Sequence, residues 1–386
     1  MTVVPTDTTV VPIADAELDA RIDAVRAAMA DARIDVLLAY GAHRDYHPGD
    51  LRYLARWYCV EEETSCLVVP ASGPTVLLTD ASWDLKRAEA EAHADAFRYA
   101  PDLGAGLVEL LLELGVTAGR VGVAGWHVFP VSPYLQIREA IPDVELFDAS
   151  DLTTTLRMVK SPAEIALMRQ ASRISDRAMA AGLGEIRAGN TEVAVAAAAE
   201  AVIRGAGAEP SFVTEMGAGP RTAYGTFLPG EAAFQPGQIA VLDCGARLHG
   251  YHGDMCRTVV VGGPDDRQAA MLEAVERAVT DAIAAVRPGA TVGHVRDVAA
   301  QSIADSGFGE YWFGDFMPHG NGTGQHEPPN AGEHPDLALA SGMVLCIEPG
   351  ITVPGEGAVI IEQMVTVTDD GVEVFNQLPT GVWRIG

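Results

Sequence analysis

Apolar positions near the start of the chain recur at the spacing of an amphipathic helix. Leu18, Ile22, Val25 and Met29 would share one face of a helix over residues 15–32, whose first turn is acidic. Short apolar runs typical of strands then alternate with amphipathic segments. We predict strands at 34–40, 66–70, 75–79 and 121–124, and helices at 83–94, 103–114 and 133–140. This alternation predicts an α/β domain with a parallel or mixed sheet.

The pattern changes near residues 157–162, where the sequence contains the signals that start a helix. Ser161 is a typical N-cap, Pro162 suits the first helical position, and Glu164 completes a capping box. We therefore predict a long helix from Pro162 and two domains, at residues 1–156 and 157–386.

The second domain contains an internal repeat. Arg187-x-Gly189-x-Thr191 recurs 100 residues later as Arg287-x-Gly289-x-Thr291, and Ile203 and Gly207 recur as Ile303 and Gly307. Each copy would begin a helix with a threonine cap and end it near a glycine. A duplicated α/β unit is the natural interpretation, and chance agreement between alanine- and glycine-rich helices is the alternative.

Two aspartates flank a glycine-marked turn between the copies. Asp243 and Asp254 adjoin apolar runs at 238–242 and 258–261, which predicts a β-hairpin with one carboxylate on each strand. Aspartate is unfavourable in strands and costly to bury, so a bound cation would explain both residues. Alternatively, both aspartates cap turns of an ordinary hairpin.

Further polar residues interrupt the apolar pattern after the second copy. His319 and His326 lie in a glycine-rich stretch, and Glu348 and Glu362 each stand alone in a segment that resembles a buried strand. Several buried carboxylates would not be tolerated without a counter-ion. A cation site is therefore favoured over isolated core polar residues.

The repeat predicts how these side chains meet. If the two copies are related by a pseudo-two-fold axis, the aspartate pair and the glutamate pair would face each other, with His319 at the rim. Such a set fits two divalent ions about 3.5–4 Å apart, bridged by carboxylates. Oxygen and imidazole ligands suit Mn, Co, Fe or Zn, and ligand type does not choose among them.

Composition excludes some classes of partner. The formal net charge is −27, and Lys86 and Lys160 are the only lysines, which argues against nucleic acid or an anionic membrane as a partner. No apolar run approaches the roughly 20 residues of a spanning helix, and residues 1–12 lack the pattern of a signal peptide. The cysteines are odd in number and have no C-x-x-C spacing, so we expect a cytoplasmic protein with free thiols.

Short motifs around the polar residues carry a family resemblance. They are Leu242-Asp243-x-Gly245, Gly253-Asp254-x-x-Arg257-Thr258, His319-Gly320-x-Gly322, His326-Glu327-x-Pro329, Ile347-Glu348-Pro349-Gly350 and Ile361-Glu362. In this order they resemble the creatinase/aminopeptidase P/prolidase/methionine aminopeptidase family. Residues 160–165 resemble the start of its catalytic domain, and residues 51–54 and 66–70 resemble its smaller N-terminal domain. The resemblance implies a creatinase-like α/β domain followed by a pita-bread domain with an internal pseudo-two-fold repeat.

The same resemblance implies a role for each motif residue. Asp243 would chelate one metal ion, Asp254 and Glu362 would bridge two ions, and His319 and Glu348 would complete the second site. His326 would hydrogen-bond the carbonyl oxygen of the substrate or the oxyanion that forms from it.

Three positions depart from the family pattern. Peptidases of the family carry a histidine where spacing places Thr226, and a hydroxyl cannot titrate near neutral pH. A proton donor would then be missing unless Tyr224, His252 or the substrate supplies it. Many members also have a histidine at the position of Asp315 and an arginine at that of Ile360. These departures put cleavage of prolyl peptides in question.

Two other features have open interpretations. Arg221 lies in a segment, 219–222, that resembles non-peptidase members such as sulfonium-compound lyases; it is either a solvated turn residue or a clamp for a substrate carboxylate. His43, Tyr46, His47 and Trp57 form a polar-aromatic cluster that either closes the active site of a dimer partner or is an ordinary surface loop.

Two classes of function follow. The first is a metal-dependent hydrolase of a C–N bond, acting on a dipeptide of the Xaa-Pro type or on a small amide metabolite. The alternative is a non-hydrolytic member, such as a metal-dependent lyase. A binding module without activity is disfavoured because all five metal ligands are present. The resemblance implies a homodimer.

Overall fold

The structure is a computed structural model that describes residues 11–42 and 49–381 and the backbone of residues 384 and 385. These residues form two compact units, one from Pro12 to Arg157 and one from Met158 onwards. In the described part of the chain, no helix has the length and apolar character that crossing a membrane requires.

The first unit alternates helices and strands as the hydrophobic pattern predicts. Its elements are α1 (Asp15–Ala32), β1 (Val36–Ala42), α2 (Asp50–Ala55), β2 (Thr64–Pro70), β3 (Val76–Thr79), α3 (Leu85–Glu91), β4 (Ala96–Tyr99), α4 (Leu103–Glu113), β5 (Gly119–Ala124), α5 (Val131–Ala140), β6 (Val144–Asp148) and α6 (Ser150–Met158). The strands form one mixed sheet of order β4-β3-β2-β1-β5-β6. The predicted α/β architecture is confirmed, although the pattern did not identify α2, β4, β6 or α6.

Alternation along β1 explains how this sheet is covered on both faces. Val36 and Leu38 pack into a core with α4 and α5, whereas Leu37 and Ala39 pack into a core with α1 and α2. Side chains of successive strand residues point to opposite faces, so an apolar run such as β1 requires helices on both sides.

The second unit begins with the long helix that the capping signals predict. Ser161 Oγ accepts a hydrogen bond from Glu164 N, and Glu164 Oε2 accepts one from Ser161 N, which completes the capping box. The elements of the first copy are α7 (Pro162–Leu183), α8 (Glu192–Gly205), β7 (Glu209–Pro210), β8 (Glu215–Ala218), β9 (Ile239–Asp243), β10 (Ala246–Leu248), β11 (Tyr251–His252) and β12 (Cys256–Val261).

The second copy repeats the helix pair and then adds strands. Its elements are α9 (Asp266–Ala285), α10 (Val292–Asp305), β13 (Trp312–Phe313), β14 (His319–Gly320), β15 (Glu327–Asn330), β16 (Val344–Ile347), β17 (Gly350–Val353), β18 (Gly357–Ile360), β19 (Gln363–Val367), β20 (Val372–Val374) and β21 (Arg384–Ile385). Two sheets carry most of the candidate site, with strand orders β21-β12-β9-β8 and β15-β14-β16-β19-β20.

The repeated motifs occupy equivalent structural positions. Thr191 and Thr291 are both N-caps, accepting hydrogen bonds from Ala194 N and His294 N at 3.3 and 3.1 Å. The glycines that follow the two helices, Gly207 and Gly307, have φ angles of 73° and 84°, which favour glycine.

The two copies are joined by hydrogen bonds across their sheets. Thr258 Oγ1, on β12, donates to Ile360 O at 2.8 Å and accepts from Ile360 N at 2.9 Å. Glu362 N donates to Cys256 O at 3.1 Å. These bonds bring the end of β12 against the segment that carries Glu362, and so fix the distance between candidate ligands from different copies.

The predicted hairpin was wrong in one respect. β9 and β12 pair antiparallel, with Asp243 opposite Cys256, so Asp254 lies just before its strand and not within it. Between the two strands, β10 and β11 form a smaller hairpin around His249 and Gly250, and β10 pairs with β7 in another sheet. Glu348 and Glu362 likewise lie at strand ends, after β16 and before β19.

Candidate metal centre

Carboxylates from both copies meet where these strands end. Asp243 ends β9, and Asp254 precedes β12, so the pairing of Asp243 with Cys256 places the two aspartates beside each other. At a strand end the backbone leaves the sheet, and an acidic side chain there interrupts no apolar face. The placement explains how acidic residues adjoin strongly apolar runs.

His319 faces the glutamates of the second copy. Its Nε2 atom lies 4.0 Å from Glu348 Oε2 and 3.9 Å from Glu362 Oε1. Its Nδ1 atom lies 3.1 Å from Gly320 O, and because a carbonyl oxygen only accepts, Nδ1 carries the proton. Nε2 is therefore directed at the carboxylates as a potential ligand atom.

A compact group of ligand atoms lies at this point. One ligand atom from each of Asp254, His319, Cys346 and Glu362 lies within 4.8 Å of the others, and all four residues are buried. Sequence reasoning did not identify Cys346 as part of the site. The available signal was its position two residues before Glu348, which places both side chains on the same side of the extended chain.

Burial among like charges raises the pKa of each carboxyl group. Burial is the largest cause throughout, and it raises the pKa of Asp254 to about 7 and, together with Asp254, that of Glu348 to about 8. The pKa values of Asp243 and Glu362 are also raised, by burial and by the neighbouring carboxylates. Such a group is stable in the charged form only with a positive partner.

The residues present fit divalent metal ions. Within the described residues, Asp243 Oδ1 and Glu362 Oε2 are buried and have no hydrogen-bond partner. Buried carboxylate oxygens without donors are costly, and metal coordination would satisfy them. Carboxylate oxygens with one imidazole suit Mn, Co, Fe or Zn.

Within the described residues, Arg257 is a buried cation on β12 that forms no salt bridge with these carboxylates. Its guanidinium donates to the carbonyl oxygens of Cys256, Glu362 and Leu378, at 2.9, 2.6 and 2.8 Å. It therefore holds the backbone that carries Glu362 in place, while the carboxylates of the cluster are left for a bound cation.

His326 lies next to His319. It is exposed, and its ring centroid lies 4.2 Å from that of His319. The loop that carries His326 is held through the next residue, Glu327. Lys160 Nζ lies 2.8 Å from Glu327 Oε1, and Gly324 N donates to Glu327 Oε2 at 3.0 Å. His326 is therefore accessible to a substrate and is carried by a firmly held loop.

The residues that sequence analysis assigned to substrate differ in their exposure. Thr226 and Tyr224 are exposed on the segment that precedes buried Phe227, and Asp315 is exposed and accepts a hydrogen bond from Trp312 Nε1 at 2.8 Å. Ile360 lies in the hydrophobic core on β18, and its side chain is 7% exposed.

Arg221 has several partners on the protein. It forms an ion pair with Glu192 and donates to Leu228 O at 2.8 Å and to Met216 O at 3.3 Å. Of the aromatic cluster, His43, Tyr46 and His47 lie outside the described residues. Trp57 is buried, and its Nε1 atom donates to Ser65 Oγ at 3.1 Å. Arg87 Cζ lies 3.8 Å from the centroid of the Trp57 ring.

Glu215 is an acidic residue near the cluster that sequence reasoning missed. It starts β8 directly opposite Asp243 on β9, and residues opposite each other on neighbouring strands share a face. Its charge raises the pKa of Asp243, Asp254 and Glu348. The strand β8 is too short and too poor in β-branched residues for its register to be recognised from sequence.

Two sequence profiles match the chain. One, described as Metallopeptidase family M24, matches residues 166–369, which is more than half of the chain and includes every candidate metal ligand. The other, described as Creatinase/Prolidase N-terminal domain, matches residues 21–159.

Individual proteins are also similar. The Xaa-Pro dipeptidase of Pyrococcus horikoshii is 35% identical over 59% of this chain and 65% of its own length, just under two thirds. The probable dipeptidase PepE of Mycobacterium bovis is 33% identical over 82% of this chain and 84% of its own length. Among solved structures, dipeptidase PepE from Mycobacterium ulcerans superposes with a TM-score of 0.84 at 29% identity, covering 97% of this chain and 100% of that one.

Proposed function

This chain belongs to metallopeptidase family M24, and from that premise we propose that it is a dinuclear-metal-dependent hydrolase of the peptide bond in Xaa-Pro dipeptides. Its fold is the predicted one, a creatinase-like N-terminal α/β domain and a C-terminal pita-bread domain. The observation that carries the proposal is the buried group of ligand atoms around Asp254, His319 and Glu362.

Five side chains would hold the ions. Asp243 would bind one ion, Asp254 and Glu362 would bridge two, and His319 and Glu348 would bind the second. Two divalent ions, Mn, Co, Fe or Zn, would supply a nucleophile near neutral pH and stabilise the negative charge that develops on the attacked carbonyl oxygen.

His326 would act on the carbonyl oxygen. It is exposed beside His319, and a neutral or charged imidazole there can donate a hydrogen bond to that oxygen. Lys160 and Glu327 would act indirectly, because their ion pair holds the loop that carries His326.

Protonation of the leaving proline nitrogen is the step for which the family resemblance leaves no obvious residue, because it places Thr226 where related peptidases carry a histidine. Thr226 can donate a hydrogen bond but cannot titrate. Exposed Tyr224 has a phenolic hydroxyl on the same segment, whereas His252 is buried and lies 2.7 Å from Ser211 Oγ. Transfer from Tyr224 or from solvent would have to serve.

The proposal extends to assembly and location. A homodimer is proposed from the family resemblance, and a cytoplasmic location from the cysteines. All five are buried free thiols, as expected in a reducing compartment.

The test is activity after controlled metal loading. Protein stripped with EDTA and reloaded with Mn, Co, Fe or Zn should cleave Ala-Pro and Met-Pro but not Ala-Ala, and metal analysis should find two ions per chain. Cleavage only of small amide metabolites, or elimination from a sulfonium substrate, would instead identify a non-peptidase member of the family. One ion per chain would contradict the dinuclear site.

A further inference from the structure

Glu215 adds a carboxylate to the site beyond the set that would bind metal. The opposite pairing of Glu215 and Asp243 directs both side chains to the same face of the β8–β9 pair. Asp243, Asp254, Glu348 and Glu362 would together balance two divalent ions. The two ions would then leave the negative charge of Glu215 unbalanced.

The environment of Glu215 leaves one carboxylate oxygen available. Its Oε2 atom accepts a hydrogen bond from Phe227 N at 3.2 Å. In the described part of the chain, no other side chain or backbone donor hydrogen-bonds this residue, and it forms no salt bridge. Glu215 is half-buried, so its carboxylate lies in a partly dehydrated place, and among the described residues Oε1 receives no hydrogen bond.

The same hydrogen bond connects Glu215 to the segment that departs from the family pattern. Phe227, whose N–H it anchors, directly follows Thr226, which the family resemblance places where related peptidases carry a histidine. Glu215 therefore lies between a candidate metal ligand, Asp243, and the segment in which that resemblance predicts a departure.

We propose that Glu215 is a specificity residue that binds a positively charged ammonium group of the substrate. The inference rests on the proposed function and adds the residue that would recognise a cationic nitrogen, either the α-ammonium of the Xaa-Pro dipeptide or an amine in the side chain before proline. A half-buried carboxylate with a free oxygen attracts an ammonium strongly, because solvent screens the pair less than at the surface. The surplus negative charge around the metal group favours the same ligands.

Two sources of the ammonium are open to experiment, the α-amino group and a side-chain amine. Three ligands of nearly equal length separate them. Lysyl-proline carries both amines, norleucyl-proline carries only the α-amine, and hexanoyl-proline carries neither. Comparison of neighbouring members of this series isolates one amine at a time.

The test is calorimetric binding of these ligands to the metal-loaded protein in a His326→Ala background, where slow turnover permits equilibrium measurement. Glu215→Gln removes the charge and keeps an oxygen that can accept from Phe227 N. We expect it to weaken binding of the ligand with the recognised amine at least tenfold, with hexanoyl-proline changed less than twofold. Glu231→Gln, an exposed neutralisation, serves as the matched control and should change none of the three.

Several outcomes would overturn the proposal. The proposal is wrong if Glu215→Gln changes the affinity for all three ligands equally or for none of them. It is also wrong if the parent protein binds none of the three. Loss of metal in Glu215→Gln would instead make Glu215 a metal ligand. Metal content is measured for every variant. Selective ammonium binding without any Xaa-Pro cleavage would refute the dipeptidase proposal and support the role of Glu215.

Discussion

Lys160 and Glu327 form an ion pair, with Nζ and Oε1 2.8 Å apart, in which both side chains are almost fully buried. The two residues are far apart in sequence, at the start of the second unit and directly after His326. The pair is enclosed by Gly322, where an added Cβ would lie 2.3 Å from Glu327 Oε1 and 3.0 Å from Lys160 Cε. This buried ion pair holds the loop between His319 and His326 against the segment that precedes helix α7.

The first prediction concerns removal of one partner of this pair. Lys160→Met leaves Glu327 buried without its cation, so we expect a loss of about 3–5 kcal/mol in the free energy of unfolding. Lys160→Met combined with Glu327→Leu should recover part of that loss, because the uncompensated charge is gone. Denaturant unfolding of both variants measures the difference.

Activity separates a positioning role from a purely structural one. Glu327→Gln retains packing and should lower kcat for Xaa-Pro cleavage while metal content stays at the wild-type level. The matched control is the exposed pair of Arg267 and Glu356, where solvent screens the charges, so Arg267→Ala should leave both stability and kcat essentially unaltered. Unchanged kcat in Glu327→Gln would contradict the positioning role.

The second prediction concerns His326 itself. His326→Ala should lower kcat by about 10²-fold or more, as expected for loss of a donor to the developing oxyanion, without loss of metal. His326→Gln, which retains a donor, should recover part of the activity. Steady-state kinetics with metal analysis provide the check, and a fall in metal content would make the histidine a ligand.

The hydrophobic pattern identified elements that carry an apolar run, helical apolar spacing or a capping signal, and it missed elements that lack these signals. Helix α1 coincides with the predicted residues 15–32, and Ser161 caps α7 as predicted, because apolar spacing and capping are local properties. Strands β3, β4 and β8 have four residues each, but only β3 is a nearly continuous apolar run, Val-Leu-Leu-Thr, so β4 and β8 gave no strand signal.

The candidate site divides in the same way. Asp243, Asp254, His319, Glu348 and Glu362 could be selected because carboxylates beside apolar runs need a partner. Glu215 could not be selected, since its proximity to Asp243 arises from strand register and not from any local motif. For the same reason the distant partners Lys160 and Glu327 became visible only in the folded chain.

The third prediction concerns pH and metal binding. In EDTA-treated protein, burial raises the pKa of Asp254 to about 7 and that of Glu348 to about 8. Ions bind the deprotonated groups, so metal affinity should increase from pH 6 to pH 8, and binding should release protons. Calorimetry in buffers of different ionisation enthalpy counts these protons, and pH-independent affinity would contradict the assignment.

The same raised pKa values determine whether the free energy of unfolding increases or decreases with pH. The EDTA-treated folded state binds more protons than the unfolded state above pH 4, so its stability decreases as pH rises. The stabilisation from protonated Asp254 and Glu348 is fully present below about pH 4, the pKa of these groups in the unfolded chain. It is lost as the pH rises through about 7 to 8, their pKa values in the folded chain. Thermal unfolding from pH 5 to pH 8 should show this decrease, and metal-loaded protein should show less of it.

The fourth prediction concerns the close approach of backbone between the two aspartates. An added Cβ at Gly245 would lie 2.0 Å from Gly253 O, which is a backbone atom and cannot move without displacing the adjacent Asp254. Gly245→Ala should therefore lower both stability and metal content. Gly205→Ala is the control, because its added Cβ meets no atom within 4 Å in helix α8, and it should stabilise the chain by about 0.5–1 kcal/mol.

The last prediction concerns Thr226, which the family resemblance places where related peptidases carry a histidine. The residue is exposed, so a larger side chain should be accepted without loss of stability. Thr226→His would add a group that titrates near neutral pH, and general acid catalysis typically contributes about 10²–10⁴-fold. We expect kcat for Xaa-Pro substrates to rise at least tenfold, with a pH profile that acquires a new ionisation near the histidine pKa. Thr226→Gln adds similar bulk without a titratable ring and should produce neither effect.

If wild-type protein cleaves no peptide and only Thr226→His does so, the dipeptidase proposal is wrong for the natural chain. Thr226 would then belong to a site that acts on another C–N bond or catalyses an elimination.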